Sequence, residues 1–175
     1  MIEYQISKNA RILFVGINPH PGSARRSVPF SNNKMFWYLL SRAGLIDERV
    51  EELRNEEVLS KMYHEKFASV YRLNFLNLVD RPTVNVTMLE KGEERAGVER
   101  VLKTVREMKP GVVCFVGKIV LQTFRGKGDY EWGWQPDVEG VPAYLMHFPL
   151  RGPAEVRIKE LREIVEGKKR SADNS

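Results

Sequence analysis

Four short apolar runs alternate with helical segments along this chain, and this alternation limits its fold more than any other feature. The runs lie at residues 11–15, 73–79, 111–116 and 141–146. Helical patterns lie at 33–43, 53–67, 94–108, 118–124 and 154–166. Strands that alternate with helices form parallel sheets with helices on both faces. The sequence therefore predicts a three-layer α/β/α fold around a mainly parallel sheet.

The length of 175 residues suits one hydrophobic core, and no linker-like segment divides the chain. We expect residues 1–167 to form one domain and 168–175 to form a basic, disordered tail. Two segments rich in glycine, proline or tryptophan, 18–31 and 126–139, are expected to be irregular connections.

The charge and the cysteine and histidine content restrict the function classes. The formal charge of +5 permits a polyanionic partner without requiring one. One cysteine excludes an internal disulfide framework, and three histidines without ligand spacing argue against a metal site, so none is expected. The chain also lacks an apolar run of membrane-spanning length, so we expect an intracellular protein, cytoplasmic and nucleoid-associated in a prokaryote.

Common nucleotide-binding and hydrolase signatures are absent. The sequence has no G-x-G-x-x-G fingerprint, no phosphate-binding loop and no G-x-S-x-G elbow. Instead, two polar loops follow apolar strands, at residues 16–19 and 147–153. Both should open at the carboxyl edge of the sheet, where such folds bind ligands. The residues alone leave open that these loops are ordinary connections, that Asn18 caps a turn, and that Phe30 belongs to the core.

Several of these segments, in order, resemble the mismatch-specific uracil/thymine-DNA glycosylases of the uracil-DNA glycosylase superfamily. They read Gly16-Ile17-Asn18-Pro19, Pro29-Phe30, Phe36-Trp37, Leu78-Val79-Asp80-Arg81-Pro82-Thr83, Gly117-Lys118 and Trp132-Gly133. The resemblance covers roughly residues 11–165.

The resemblance implies roles for individual residues. Asn18 would orient the attacking water, and Phe30 would stack on the extruded base. The backbone at Ile17 and Phe30 would read the edge of the base, and Asn77 would line the pocket. No cofactor is implied. Outside these roles, Asp80 and Arg81 are expected to form a local ion pair, and Trp132 is expected to be a packing residue.

The second motif of the family usually reads N-P-S-G-L-S, and this chain departs from it. The corresponding stretch begins with His147, which would donate to a base carbonyl as a catalytic group or would be structural. Arg151 or Leu150 would be the wedge that fills the vacated stack. Gly152 and Arg157 complete the predicted DNA-binding set. This departure leaves the preferred base open.

The resemblance thus implies a monofunctional glycosylase that removes uracil, and thymine opposite guanine, and leaves an abasic site. Its partner would be double-stranded DNA with a deaminated or mismatched base, or single-stranded DNA, and the enzyme would be a monomer. The alternatives are a glycosylase for another deaminated base such as hypoxanthine, an inert nucleic-acid-binding module on the same fold, and an unrelated small α/β hydrolase or nucleotide-binding protein.

Overall fold

The computed structural model describes residues 1–150 and 152–167, and all structural statements concern these residues. The strands are β1 (Ile12–Gly16), β2 (Leu73–Asn77), β3 (Val112–Val116), β4 (Gly133–Val138) and β5 (Val141–Met146). The helices are α1 (Pro21–Arg26), α2 (Met35–Arg42), α3 (Val50–Leu53), α4 (Glu56–Met62), α5 (Arg95–Met108), α6 (Lys118–Arg125) and α7 (Ala154–Glu166). A π-helical turn (Tyr63–Phe67) continues α4, and a 3₁₀ turn (Val86–Met88) precedes α5.

The five strands form one sheet in the order β2-β1-β3-β5-β4. The pairs β1–β2, β1–β3 and β3–β5 are parallel, whereas β4 pairs antiparallel with β5 at one edge. Each parallel pair is joined through helices, as parallel strands require. The predicted α/β/α fold with a mainly parallel sheet is confirmed.

Alternate side chains of each strand enter two separate cores, because successive residues of a strand point to opposite faces. Phe14 of β1 packs with α2, α4 and α7 on one face, whereas Leu13 and Val15 pack with α5 and α6 on the other. The strands β1, β2 and β3 are buried along their whole length. This burial on both faces explains why they are continuous apolar runs in the sequence.

Two segments predicted to be irregular contain regular structure. Residues 126–139 contain β4, and its Pro136 is tolerated because an edge strand need not donate every ladder hydrogen bond. The segment 18–31 contains the short helix α1. The helix predicted at 53–67 is interrupted, because Asn55 caps a new helix by accepting from the N–H groups of Glu57 and Val58.

The helix α5 lies unusually close to the end of β2. A Cβ atom added at Gly97 would be 1.7 Å from the carbonyl oxygen of Leu78. Only glycine permits this approach, which fixes the chain immediately after β2 against α5. The assignment of residues 1–167 to one domain stays a prediction, and the predicted tail at 168–175 lies outside the described residues.

Candidate active site

The loops that follow β1 and β2 leave the sheet side by side. The register of these parallel strands places Gly16 opposite Asn77 at their carboxyl ends. Three backbone hydrogen bonds then join the loops beyond the sheet: from Leu78 N to Gly16 O (3.0 Å), from Val79 N to Ile17 O (2.8 Å) and from Thr83 N to Pro19 O (3.1 Å). The two segments that carry the family resemblance are therefore held together.

Gly16 makes close contact with two side chains where the two loops meet. A Cβ atom at this position would lie 2.7 Å from Oδ1 of Asn77 and 3.0 Å from Cζ of Phe75. The side chain of Asn77 is buried against this glycine. The glycine therefore admits the amide of Asn77 to the floor of a cavity between the loops.

The side chain of Asn18 is held in one orientation by the second loop. Its Nδ2 donates to the carbonyl oxygen of Arg81 (3.0 Å) and to Oγ1 of Thr83 (2.8 Å). A carbonyl oxygen can only accept, so the amide nitrogen must face it. Both amide hydrogens are thus used, and Oδ1 is the atom left to accept a hydrogen bond from a ligand or water.

The hydroxyl of Thr83 is itself oriented. It donates to the carbonyl oxygen of Asn85 (2.9 Å), so its oxygen is free to accept from Asn18. Thr83 is buried. The sequence motif at residues 78–83 includes Thr83, but nothing in it indicates that this hydroxyl orients the amide of Asn18.

A charged network fixes the loop that holds Asn18. The guanidinium of Arg100 donates to both carboxylate oxygens of Asp80 (2.9 and 3.0 Å) and to the carbonyl oxygen of Asn77 (2.6 Å). The hydroxyl of Tyr4 donates to the same carboxylate. Burial opposes the ionisation of Asp80, but the hydrogen bonds from Arg100 and Tyr4 outweigh it, so its pKa lies below the usual value.

The sequence suggested that Asp80 and Arg81 form an ion pair with each other. In the structure each of them pairs with a different residue. Arg81 instead forms an ion pair with Glu93, and its guanidinium donates to the carbonyl oxygen of Met88 (2.9 Å). The hydrogen bond from Arg81 lowers the pKa of Glu93 to about 2. Neighbouring residues of a loop point in different directions, so both charges find partners elsewhere and anchor the loop on two sides.

Phe30 forms part of an aromatic floor. Its ring centroid lies 4.5 Å from that of Phe36 and 5.4 Å from that of Phe75. Its backbone has a φ of 55°, an unusual conformation for a phenylalanine. The buried indole of Trp37 donates to the carbonyl oxygen of Pro29 (2.7 Å) and so holds the turn at Phe30 in place.

A cavity of about 240 Å³ lies between these elements. Its lining includes five residues that the sequence assigned to the site: Ile17, Asn18, Phe30, Asn77 and Leu150. The described lining contains amides, hydroxyls, aromatic rings and one histidine, but no carboxylate, lysine or arginine. Such a cavity suits a flat, uncharged ligand, and Oδ1 of Asn18 can hold a water beside it. We term it the base cavity.

His147 borders an adjoining cavity of about 510 Å³ instead of the base cavity. Its ring stacks on Trp132 with centroids 3.6 Å apart, and its Nδ1 lies 3.0 Å from the Glu160 carboxylate. The same carboxylate accepts from the backbone N–H of His147 (3.0 Å). These contacts fix the ring outside the lining that Asn18 shares. Its predicted catalytic role stays a prediction.

Trp132 is less enclosed than a packing residue, since 41% of it is exposed. Besides its contact with His147, it has the ammonium of Lys118 4.7 Å from its ring centroid. The indole thus packs against His147, while one part of it remains open to solvent at the adjoining cavity. The expectation that Trp132 is a packing residue stays a prediction.

The predicted DNA-binding role of Arg157 needs correction. Only 2% of this residue is exposed, and its guanidinium donates to the carbonyl oxygens of Phe148 (2.8 Å) and Pro153 (2.7 Å). It braces the loop between β5 and α7 from inside and cannot reach a phosphate in this structure. Leu150 is 49% exposed on this loop, and Gly152 has a φ of 81°. Arg151 lies outside the described residues.

Within residues 1–150 and 152–167, no group of three or more histidine, cysteine, aspartate or glutamate side chains could hold a metal ion. No helix in this part is long and apolar enough to cross a membrane.

Comparison with known families adds to this geometry. The family model of the uracil DNA glycosylase superfamily matches residues 3–165. The match includes the sheet, both joined loops and the base cavity. Members of this superfamily are DNA glycosylases, which hydrolyse N-glycosyl bonds. With nearly its whole length matched, this chain belongs to the uracil DNA glycosylase superfamily.

Proposed function

We propose that this chain is a monofunctional glycosylase that removes uracil, and thymine mispaired with guanine, from double-stranded DNA. The observation that carries the proposal is the fixed amide of Asn18. Its nitrogen is held by Arg81 and Thr83, and its oxygen is left to accept a hydrogen bond beside the base cavity.

The chemistry begins with extrusion of the nucleotide, because its glycosidic bond is inaccessible within the duplex. The base enters the base cavity and packs against Phe30. Stacking on an aromatic ring contributes about 1–3 kcal/mol per base, which offsets part of the cost of unstacking. The aromatic floor of Phe36 and Phe75 keeps the ring of Phe30 in place for this contact.

Cleavage proceeds through a sugar with oxocarbenium character, which a weak nucleophile can attack. A water that donates to Oδ1 of Asn18 is positioned for this attack without being deprotonated first. Its oxygen bonds to the anomeric carbon as the bond to the base breaks, and the proton that it then loses passes to solvent. The departing base carries negative charge and requires hydrogen-bond donors. The backbone N–H groups at Ile17 and Phe30 and the amide of Asn77 are the donors that we assign to this task.

The uncharged lining of the base cavity favours some bases over others. The described lining residues include no carboxylic acid that could protonate the leaving base, and His20 is the one titratable side chain among them. Bases that depart readily as anions, as uracil does, are therefore favoured over cytosine. The absence of a lysine from the same lining supports hydrolysis in preference to attack by an amine.

Single-turnover excision assays test the proposal with duplexes that contain uracil, thymine or hypoxanthine opposite each normal base. Asn18→Ala should reduce the excision rate by about 10²–10³, the usual cost of losing such an orienting group. Its binding to an abasic duplex should remain close to that of the wild type, because Asn18 holds the water. The product should be an intact abasic strand.

Asn55→Ala is the matched control, since it removes an amide that caps α4 and does not line the base cavity. It should excise at the wild-type rate. Undiminished excision by Asn18→Ala would refute the role of the amide. Excision of hypoxanthine alone would change the substrate, and no excision of any base would favour the inert binding module.

A further inference from the structure

The adjoining cavity lies at the same edge of the sheet as the base cavity. The two cavities share a wall that includes Ile17, Val116 and Phe148. The adjoining cavity is the larger one, with about 510 Å³ against about 240 Å³ for the base cavity. A chemical group that is covalently attached to a ligand in the base cavity is therefore close to the adjoining cavity as well.

Exposed apolar side chains gather at the adjoining cavity. Val84, Ile119 and Trp132 are all exposed, and all three line this cavity. They come from three different parts of the chain: the loop after β2, the helix α6 and the residue before β4. Exposed apolar side chains that gather in one place indicate a binding surface, whereas single ones are common on any protein.

The indole of Trp132 has a rigid support on one face. The imidazole of His147 stacks on this face with the ring centroids 3.6 Å apart. The imidazole is itself fixed, because the carboxylate of Glu160 accepts from the backbone N–H of His147 and lies 3.0 Å from its Nδ1. The indole is therefore preorganised, and it loses little conformational entropy when a ligand packs against its other face.

A lysine side chain is the other group that covers the indole. The ammonium of Lys118 lies over the ring, 4.7 Å from its centroid. Within the described residues, this ammonium has no carboxylate partner and donates no hydrogen bond, so the attraction to the ring is what holds it there. A contact of this kind at an exposed site is weaker than the stacking of a base on an aromatic ring. A base can therefore displace the ammonium of Lys118, whereas His147 stays in place.

The lining of the adjoining cavity suits a nucleobase. Its one arginine, Arg157, donates to the carbonyl oxygens of Phe148 and Pro153, so its guanidinium is already used. Aromatic and apolar side chains make up most of the lining, as in proteins that bind unpaired bases without regard to sequence. A base next to the target is tethered to it, so it reaches this cavity at a high effective concentration once the target is bound.

We propose that Trp132 is the stacking platform for a second nucleobase, which is adjacent to the target in single-stranded DNA. This inference rests on the proposed function, since the target must occupy the base cavity. In a duplex, the neighbouring bases stay paired and stacked. In a single strand, the neighbouring base is free to enter the adjoining cavity. The second base then contributes to affinity where the strand offers no duplex for a wedge to enter.

The test uses Trp132→Leu and measures affinity for a single strand and for a duplex. Both contain 2′-fluorinated deoxyuridine, which resists cleavage. Affinity for the single strand should fall by about 3- to 30-fold, which is the gain from stacking one base after subtraction of the lost contact with Lys118. The duplex should lose less than about twofold, because its neighbouring bases do not leave the stack. Tyr38→Leu, which changes a half-buried ring that lines neither cavity, should bind both like the wild type.

Removal of single bases from the strand locates the contact and needs no change to the protein. A tetrahydrofuran residue replaces one nucleotide at a time on either side of the target, and its phosphate is retained. At one neighbouring position, the missing base should weaken binding by the wild type to the level of Trp132→Leu. The same missing base should leave binding by Trp132→Leu unchanged. Trp132→Phe keeps an aromatic ring and should recover part of the affinity for the intact strand.

Wild-type affinity for single strands in Trp132→Leu would overturn the proposal. Equal losses on single strands and duplexes would overturn it as well, and would assign Trp132 to the support of His147. The proposal also fails if no single missing base weakens binding by the wild type. Excision of uracil from a U·G duplex by the wild type is measured in parallel. Its presence while the single-strand tests fail separates failure of this inference from failure of the proposed function.

Discussion

Replacement of Thr83 by valine tests whether the fixed amide of Asn18 controls the reaction. The change keeps the branched shape of a buried residue and removes only its hydroxyl. Nδ2 of Asn18 then keeps one partner, the carbonyl oxygen of Arg81, and loses the other. The amide becomes free to tilt, so Oδ1 holds the attacking water less accurately.

The structure sets the expected size of the effect. Two hydrogen bonds of the hydroxyl are lost, at 2.8 Å to Asn18 and 2.9 Å to Asn85. One neutral hydrogen bond contributes about 0.5–1.5 kcal/mol, which corresponds to up to about a tenfold lower excision rate if the bond to Asn18 is expressed in the transition state. Thr83→Val should therefore be clearly less damaging than Asn18→Ala.

Single-turnover excision of uracil from a U·G duplex is the assay. Thr83→Ser keeps the hydroxyl and should restore most of the rate. In the Asn18→Ala background, Thr83→Val should cause no further loss, because the two residues act as one unit. Equal rates for Thr83→Val and the wild type, or a further loss in the double variant, would refute the reasoning.

Three further results are expected. Either Arg151→Ala or Leu150→Ala should slow excision from duplexes more than from single strands, depending on which residue is the wedge. The reason is that a wedge offsets the free-energy cost of unstacking the target base, about a few kcal/mol. Equal losses on both substrates would contradict a wedge role. The pKa of Asp80 is lower in the folded protein, so its contribution to stability is complete above the unfolded value of 3.8 and is lost as pH falls through the folded value. Asp80→Asn should therefore flatten the acid side of a stability–pH curve measured by urea denaturation, and an unchanged curve would exclude the carboxylate as its cause. Gly97→Ala should lower the free energy of unfolding by about 1–3 kcal/mol through overpacking, although alanine normally favours a helix. As a control, Glu99→Ala at an exposed position should change the free energy of unfolding by less than about 0.5 kcal/mol. A more stable Gly97→Ala variant would contradict the close approach.

The sheet was predictable because its central strands are buried on both faces and appear as apolar runs. The edge strand β4 was not, since it has a proline, begins at a glycine and is only partly buried. The helix α1 has six residues and starts with Pro21-Gly22, so its sequence resembles a turn. What stabilises it is local capping by His20, and this is not visible as periodicity.

The candidate site was predictable through the family resemblance, because position in the chain alone left Asn18 as a turn cap and Phe30 as a core residue. The structure brings Asn18, Phe30 and Asn77 together at the base cavity, and their roles there stay predictions. Arg157 was misassigned because an arginine is usually exposed, whereas here backbone carbonyls of a tight loop satisfy a buried guanidinium. The position of His147 depends on contacts with Trp132 and Glu160, which are distant in sequence.

The three backbone hydrogen bonds that join the loops after β1 and β2 bear on local unfolding. Amide hydrogens exchange with solvent when their hydrogen bond opens, and loops usually open at little cost. The backbone amides of Leu78, Val79 and Thr83 are hydrogen-bonded to the segment that follows β1. Their hydrogens should therefore exchange as slowly as the amide hydrogens of the strands. The loops would then open only when the sheet itself does, so hydrogen–deuterium exchange should identify the edge of the sheet that carries the candidate site as one of the last regions of the protein to be labelled.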